Sequence, residues 1–133
     1  MRSIIPVLMA TLLVSCGSSA VGKKLRGCDS LVITFNVPNS DSILKEVSTT
    51  ETKAISKLAR FVDGKPAEQY KCGYDGNMIF FKAGRQIMPV VFKYSEEGCR
   101  HFLFDLDNKV MSTSMSNEAV NFLKSLAEGR DWY

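Results

Sequence analysis

Residues 69–115 constrain the fold most strongly, because short apolar runs alternate there with residues that favour tight turns. Glycine, aspartate and asparagine accept the left-handed backbone angles that many hairpin turns require. The runs between the turns are rich in β-branched and aromatic residues, which favour strands. The segment therefore predicts an antiparallel β-meander, with turns at residues 75–76, 84–85, 95–98 and 107–108.

The positions of these turns predict which side chains share one face of the sheet, since successive strand residues point to opposite sides. A three-residue third loop with Gly98 in the left-handed conformation buries two phenylalanines and a leucine, so we favour it. A four-residue loop would instead place Cys99, His101 and Leu103 on the core face. The predicted core face comprises Tyr70, Cys72, Ile79, Phe81, Met88, Val90, Phe92, Phe102, Phe104 and Leu106.

The opposite face of the predicted sheet is also apolar, because it carries Phe80, Val91 and Leu103. A sheet that is apolar on both faces is either covered on both sides or uses one face for binding. We predict that these three residues form a partly exposed contact surface for a partner. The alternative is that the last helix, or Trp132 and Tyr133 at the C-terminus, covers them.

The residues before the meander predict a strand followed by helical structure. Residues 30–37 are rich in β-branched side chains and stop at a proline, which indicates a strand. Apolar residues then recur at helical spacing from residue 43 to residue 62. The polar centre of this stretch leaves two alternatives, which are one helix with a weak middle or two short helices. In the second case a capping box of Ser48 and Glu51 begins the second helix.

The residues after the meander's last turn predict an edge strand and a final helix. Residues 109–115 extend the sheet, Ser116 caps the helix, and Gly129 ends it. The resulting order is β-α-β-β-β-β-α. It predicts an α+β fold, in which one or two helices pack on one face of an antiparallel meander of four to six strands.

The first 16 residues have the pattern of a bacterial export signal. Arg2 supplies a positive charge, and an apolar run that is too short to span a bilayer follows it. The run ends in Leu-Val-Ser-Cys at residues 13–16, which resembles the lipobox of bacterial lipoproteins, with Cys16 at the lipidated position of that motif. The resemblance implies that residues 1–15 are removed as a signal peptide and that the Cys16 thiol receives a diacylglyceryl group.

The glycine and serine residues after Cys16 predict a lipidated flexible tether over residues 16–28, and the predicted strands and helices that follow form a single α+β domain over residues 29–133. Acyl chains on Cys16 anchor such a domain stably in a membrane. Because no aspartate follows Cys16, we expect the bacterial cell envelope, with the domain on the outer membrane and facing the periplasm. The tether contains three cationic residues, Lys23, Lys24 and Arg26. We favour the interpretation that they keep the tether soluble, and the alternative is that they contact anionic lipid headgroups.

Three further cysteines remain after lipidation of Cys16, in a compartment that permits disulfides. They are Cys28, Cys72 and Cys99, so three pairings are open. We favour Cys72 with Cys99, because both lie beside turns at the same end of the meander. A flat meander would separate those two strands by three spacings of about 4.8 Å, beyond disulfide reach, and Cys28 would then be a partner.

Few residues of the sequence indicate catalysis or nucleic-acid binding. The net charge of +3 is too small to indicate a nucleic-acid partner, and the chain has no glycine-rich phosphate loop or serine-centred elbow. His101 shares a strand face with Cys99, so the alternative function is a metal- or redox-active periplasmic module using Cys72, Cys99 and His101. We favour a disulfide beside a partly exposed histidine, without catalytic residues, metal or cofactor. The sequence thus predicts a non-enzymatic envelope lipoprotein that binds a protein partner or another envelope component.

The anchoring hypothesis predicts that the substitution Cys16→Ala abolishes acylation and membrane association. The physical reason is that no long apolar run follows residue 16 to hold the chain in a bilayer. The measurement is incorporation of labelled fatty acid together with globomycin-sensitive processing, because an unprocessed chain can still adhere through its signal peptide. Normal acyl labelling of the alanine variant would contradict the hypothesis.

Overall fold

The computed structural model of the protein describes residues 19–69, 71–130 and 132. The predicted signal peptide, Cys16, Tyr70 and Tyr133 therefore lie outside the described residues. Within the described part, the chain forms helices and strands in the order α-β-β-α-β-β-β-β-α. Their bounds are α1 (Ala20–Leu25), β1 (Ser30–Asn36), β2 (Ile43–Thr49), α2 (Thr52–Val62), β3 (Gly76–Lys82), β4 (Arg85–Lys93), β5 (His101–Leu106), β6 (Lys109–Ser114) and α3 (Asn117–Ala127).

The strands form one six-stranded antiparallel sheet in the order β2-β1-β3-β4-β5-β6, which confirms the predicted α+β class. The last four strands lie side by side in chain order, as a meander requires. The outer edge of β6 is bordered by the chain that follows α2. The Ala67 N–H donates to the Ser112 carbonyl at 2.9 Å, and the Ser114 N–H donates to the Lys65 carbonyl at 2.8 Å. β2 forms the other edge of the sheet.

The three helices of the described residues cover one face of the sheet, because their apolar side chains join a single buried cluster with the strands. The last helix, α3, begins as predicted, since Ser116 Oγ accepts a hydrogen bond from the Ala119 N–H at 3.1 Å. Glu118 lies in its first turn, where the helix dipole favours an acidic side chain. The largest fully buried side chains of the cluster are Leu31, Ile33, Phe35, Leu58, Met78, Phe80, Met88, Phe92, Phe102, Leu123 and Leu126.

Residues 43–49 form strand β2 instead of the helix that the sequence predicted. Their apolar and β-branched residues fit a period of two as well as a helical period, and pairing with β1 decides between them. Val47 lies opposite Ile33 and Thr49 lies opposite Leu31. The predicted capping box does not form, because Glu51 precedes α2 without a side-chain capping bond. Only the second of the two short helices that we considered is present.

Residues 20–25 form α1, although the sequence predicted a flexible tether over this range. Ser19 caps the helix by accepting a hydrogen bond from the Gly22 N–H at 2.9 Å, and its hydroxyl donates to Asp63 at the end of α2. Val21 and Leu25 are buried in the same cluster as α2 and α3. Residues 19–25 therefore belong to the folded domain, although they precede the predicted domain start at residue 29.

The expected hairpin at residues 75–76 is absent, because residues 71–75 form a loop and not a strand. β3 begins at Gly76 and pairs with β1 and β4. Gly76 is needed for close approach of two backbones, since a Cβ at this position would collide with the carbonyl oxygen of Thr34. The glycine that indicated a turn is thus the first residue of a central strand.

A β-bulge in the β3–β4 pair determines which residues of β3 face the helices. Lys82 lies opposite Arg85 across a turn at residues 83–84, where both residues have positive φ. Phe81 then lies opposite Gln86, but Phe80 lies opposite Met88, so Ile87 is the extra residue of the bulge. Because side chains alternate between the two faces, one extra residue in a strand changes which side chains of the neighbouring strand lie on the same face beyond the bulge.

The bulge reverses the predicted orientation of β3 but leaves β4 and β5 as predicted. Met78 and Phe80 are fully buried under the helices, and the expectation that Phe80 is partly exposed is wrong. Ile79 and Phe81, which were expected in the core, lie on the opposite face and are partly exposed. The strand residues placed correctly on the core face are Met88, Val90, Phe92, Phe102, Phe104 and Leu106.

We expect Phe80→Ser to lower the free energy of unfolding by about 3 kcal/mol or more, because it removes a buried aromatic ring. Ile79→Ser is the matched control on the other face of the same strand, with an expected loss of about 1 kcal/mol. Urea unfolding of both variants measures the two midpoints at constant slope. Equal losses would contradict the assignment of the two faces.

Candidate functional site

The face of the sheet away from the helices is apolar across several strands. Val91 lies directly opposite Leu103, and Ile79 lies opposite both Val32 and Pro89. These side chains do not belong to the buried cluster that contains the helices. We call this set the open face. It comprises Val32, Ile79, Phe81, Pro89, Val91, Leu103 and Val110.

A shallow depression of about 270 Å³ lies in the open face. Val91 and Leu103, which the sequence predicted as contact residues, meet in it, whereas Phe80 lies on the other side of the sheet. Val110 is 51% exposed at its rim, beside the exposed carboxylate of Asp105. Pockets for small molecules usually enclose 300–1,000 Å³. An open depression of this size therefore suits side chains of a partner better than a small ligand.

The predicted ways of covering the open face are not observed among the described residues. The apolar side of α3 joins the core on the opposite face. Trp132 packs on Phe122 of α3, with ring centroids 6.3 Å apart, and Phe122 in turn lies 5.9 Å from Phe61 of α2. Trp132 thus belongs to the helix layer.

One end of the same face is closed. Lys93 and His101 lie opposite each other with the same orientation as Val91 and Leu103, yet they are only 9% and 0% exposed. His101 was expected to be partly exposed, and this expectation is wrong. Its Nδ1 lies 2.6 Å from the Cys99 carbonyl oxygen, which can only accept, so Nδ1 donates and carries the proton.

A disulfide joins Cys72 to Cys99 at this closed end, as predicted, with their Cα atoms 6.2 Å apart. The two cysteines are not separated by three strand spacings, as a flat meander would require, because Cys72 lies in the loop before β3 and not in a strand. The Glu96 carboxylate lies within 4.8 Å of both sulfur atoms, but sulfur in a disulfide is not the thiolate that binds metals. Metal binding by Cys72, Cys99 and His101, which is one form of the alternative function, is therefore incompatible with the intact bridge.

Cys28 is a free, buried thiol at the junction of α1 and β1. Burial raises the pKa of this thiol above its usual value, and nearby Asp29 acts in the same direction, while Lys82 partly offsets them. Because the thiolate is the reactive form, a raised pKa keeps Cys28 unreactive at neutral pH. Its place in the core cluster indicates a packing role.

Asp75 fastens the loop before β3 to the end of β4, a role that the sequence analysis missed. Its Oδ2 accepts from the backbone N–H groups of Tyr94 and Ser95 at 2.7 and 2.8 Å. Its Oδ1 accepts from the Ser95 hydroxyl at 2.9 Å and lies 3.4 Å from Lys93 Nζ. Burial alone would raise the pKa of this carboxyl, but these donors and the lysine outweigh it and hold the pKa below its usual value. The sequence offered only a turn signal at this position.

No protein-family model matches the chain, and neither a curated protein nor a solved structure matches it. Among the described residues, none of the helices is both long enough and apolar enough to cross a membrane. The geometry of the open face and the motif at residues 13–16 are therefore the basis for a functional inference.

We expect Asp75→Asn to lower the free energy of unfolding at neutral pH by about 1.5–3 kcal/mol, because hydrogen bonds to a charged carboxylate are lost. Folding lowers the pKa of Asp75. The ionised carboxylate therefore contributes fully to the free energy of unfolding above the unfolded-state pKa of about 3.9, and this contribution is lost as the pH falls through the folded-state pKa. The stability difference between the two proteins should therefore narrow in acid. Urea unfolding at several pH values measures it, with the exposed Asp105→Asn as control. A difference that stays constant with pH would contradict this role.

Proposed function

We propose that this protein is a membrane-anchored lipoprotein of the bacterial cell envelope that acts by binding. In this proposal it is not an enzyme. The ligand is a protein partner or another envelope component, which docks on the open face. The single observation that carries the proposal is the apolar open face of a sheet whose other face packs against the helices.

The open face has the properties of a docking surface. Single exposed apolar residues are common, but contiguous apolar patches on a soluble domain usually mark contact sites. Here the members are cross-strand neighbours, such as Val91 with Leu103 and Ile79 with Pro89. The strands hold them in fixed positions, so a partner that binds them orders few additional side chains, which favours affinity.

The chemistry of the described side chains supports binding over catalysis. Cys72 and Cys99 are joined to each other, and Cys28 is buried. His101 is fully buried, with its Nδ1 directed at a backbone carbonyl. None of these groups borders the depression in the open face. The proposed activity therefore depends on shape and apolar area.

The lipobox-like sequence supports an anchored protein and not a freely diffusing one. Acyl chains contribute about 0.8 kcal/mol for each buried CH₂ group, so two or more chains hold a domain stably on a membrane. An anchored binding domain meets its partner within the envelope at high local concentration. We therefore expect the partner in the same compartment as the domain, which faces the periplasm from the outer membrane.

The test is site-specific photo-crosslinking in the intact envelope. A photoreactive phenylalanine analogue at Leu103 should yield a discrete adduct, whereas the same analogue at Asn121, exposed on α3, should not. Val91→Thr should lower the adduct yield several-fold, because it removes apolar character at the centre of the face. It should cost less than about 1 kcal/mol of stability, as surface changes do.

Val90→Thr is the matched control, since it makes the same change one residue away, on the core face. It should lower the free energy of unfolding by about 1–3 kcal/mol, because it buries a hydroxyl group among apolar side chains. Equal adduct yields from Leu103 and Asn121 would reject the open face as the binding site. A large stability loss in Val91→Thr would show that this face is covered.

A further inference from the structure

Positive charge is concentrated at the start of the folded domain. Residues 19–28 contain three cations and no acidic residue, whereas residues 29–133 contain 13 Lys+Arg and 14 Asp+Glu. The net positive charge that remains after removal of the predicted signal peptide therefore resides beside the expected lipidation site.

α1 displays this charge on its solvent side. Val21 and Leu25 are only 6% and 3% exposed and fix the helix to the core. Lys23 and Lys24, which lie between them in the sequence, are exposed. The hydrogen bond from Ser19 to the end of α2 fastens the beginning of the helix. The two lysines are therefore held on the surface of the domain and do not belong to a flexible linker.

The basic surface continues beyond α1 to the turn between β3 and β4. A Cβ placed on Gly27 would lie 3.2 Å from Lys82 Nζ, so this exposed lysine lies beside the C-terminal end of α1. Arg85 is exposed opposite Lys82 across the turn. Asp29 also lies here, and its carboxylate accepts from the Ala83 N–H at 2.9 Å. We define the basic surface as Lys23, Lys24, Arg26, Lys82 and Arg85.

The short chain between the predicted anchor and α1 keeps the basic surface close to a bilayer. Ser19 follows Cys16 by three positions, and an extended residue spans at most about 3.6 Å, so their Cα atoms lie within about 11 Å of each other. Charges act over about 8 Å at physiological ionic strength. Lys23 and Lys24 lie in the last turn of this six-residue helix, only about 6–8 Å further along its axis, and are therefore within reach of lipid headgroups when Cys16 is acylated.

We propose that the basic surface binds the headgroups of anionic phospholipids and thereby fixes the orientation of the domain on the membrane. This inference rests on the proposed function, in which Cys16 carries the acyl chains. Because α1 packs in the helix layer, its contact with the bilayer directs the helices toward the membrane. The open face then points away from the membrane, toward a partner.

The test uses the full-length lipidated protein in vesicles of phosphatidylcholine alone and in vesicles where phosphatidylglycerol replaces part of it. Amine acetylation followed by mass spectrometry measures the labelling rate of each lysine relative to exposed Lys109. We expect Lys23 and Lys24 to be labelled several-fold more slowly on the anionic vesicles, and this protection to disappear at high salt. Equal relative rates on both vesicles overturn the proposal.

Two double charge reversals with the same net charge separate the basic surface from overall charge. Lys23→Glu with Lys24→Glu should abolish the protection of Lys82 on anionic vesicles. Lys65→Glu with Lys71→Glu, at two exposed positions in the loop between α2 and β3, should retain it. Loss of protection in both variants overturns the proposal.

The mass of the N-terminal peptide distinguishes a failure of this inference from a failure of the proposed function. Acylated Cys16 together with equal labelling on both vesicles rejects the fixed orientation alone. Cys16 without acyl groups rejects the anchored lipoprotein and, with it, the contact between α1 and the bilayer.

Discussion

The bulge at Ile87 is the constraint on which the two faces of this sheet depend. Because one extra residue stands in β4, Met78 and Phe80 of β3 join Met88, Val90 and Phe92 under the helices. Without it, β3 would turn Ile79 and Phe81 toward the core, and the cluster around them would have to be rebuilt. The same residue therefore completes the hydrophobic core and assembles the apolar open face on the other side.

The open face is bounded by a closed end that depends on two long-range connections. The Cys72–Cys99 bridge and the Asp75 carboxylate fasten the loop before β3 to the chain between β4 and β5. Lys93 and His101 are buried at this end, while Val91 and Leu103, two residues further along, remain accessible. The closed end thus keeps Lys93 and His101 out of the surface that we assign to binding.

The sequence was sufficient to predict those parts of the fold in which local signals agree with the tertiary contacts. The faces of β4 and β5 followed from turns and alternation, and the disulfide followed from the position of both cysteines at one end of the meander. It was insufficient where distant contacts decide. Residues 43–49 fit both a helical and a strand period, and their pairing with β1 makes them a strand. The bulge at Ile87 has no local signature, and Asp75 accepts from N–H groups 19 and 20 positions away. Residues 20–25 form α1 because Val21 and Leu25 pack in the hydrophobic core.

The bridge between Cys72 and Cys99 also determines how the domain bears mechanical load. Tension along the chain between α1 and α3 crosses the sulfur–sulfur bond and bypasses β3 and β4, which lie within the ring that the bond closes. The two cysteines are 27 positions apart, and each residue spans about 3.4 Å when extended. The intact bond therefore prevents roughly 90 Å of chain from extending under tension. Under a pull from an N-terminal tether, the hairpin carrying Ile79, Pro89 and Val91 is therefore the part of the domain that cannot be drawn out.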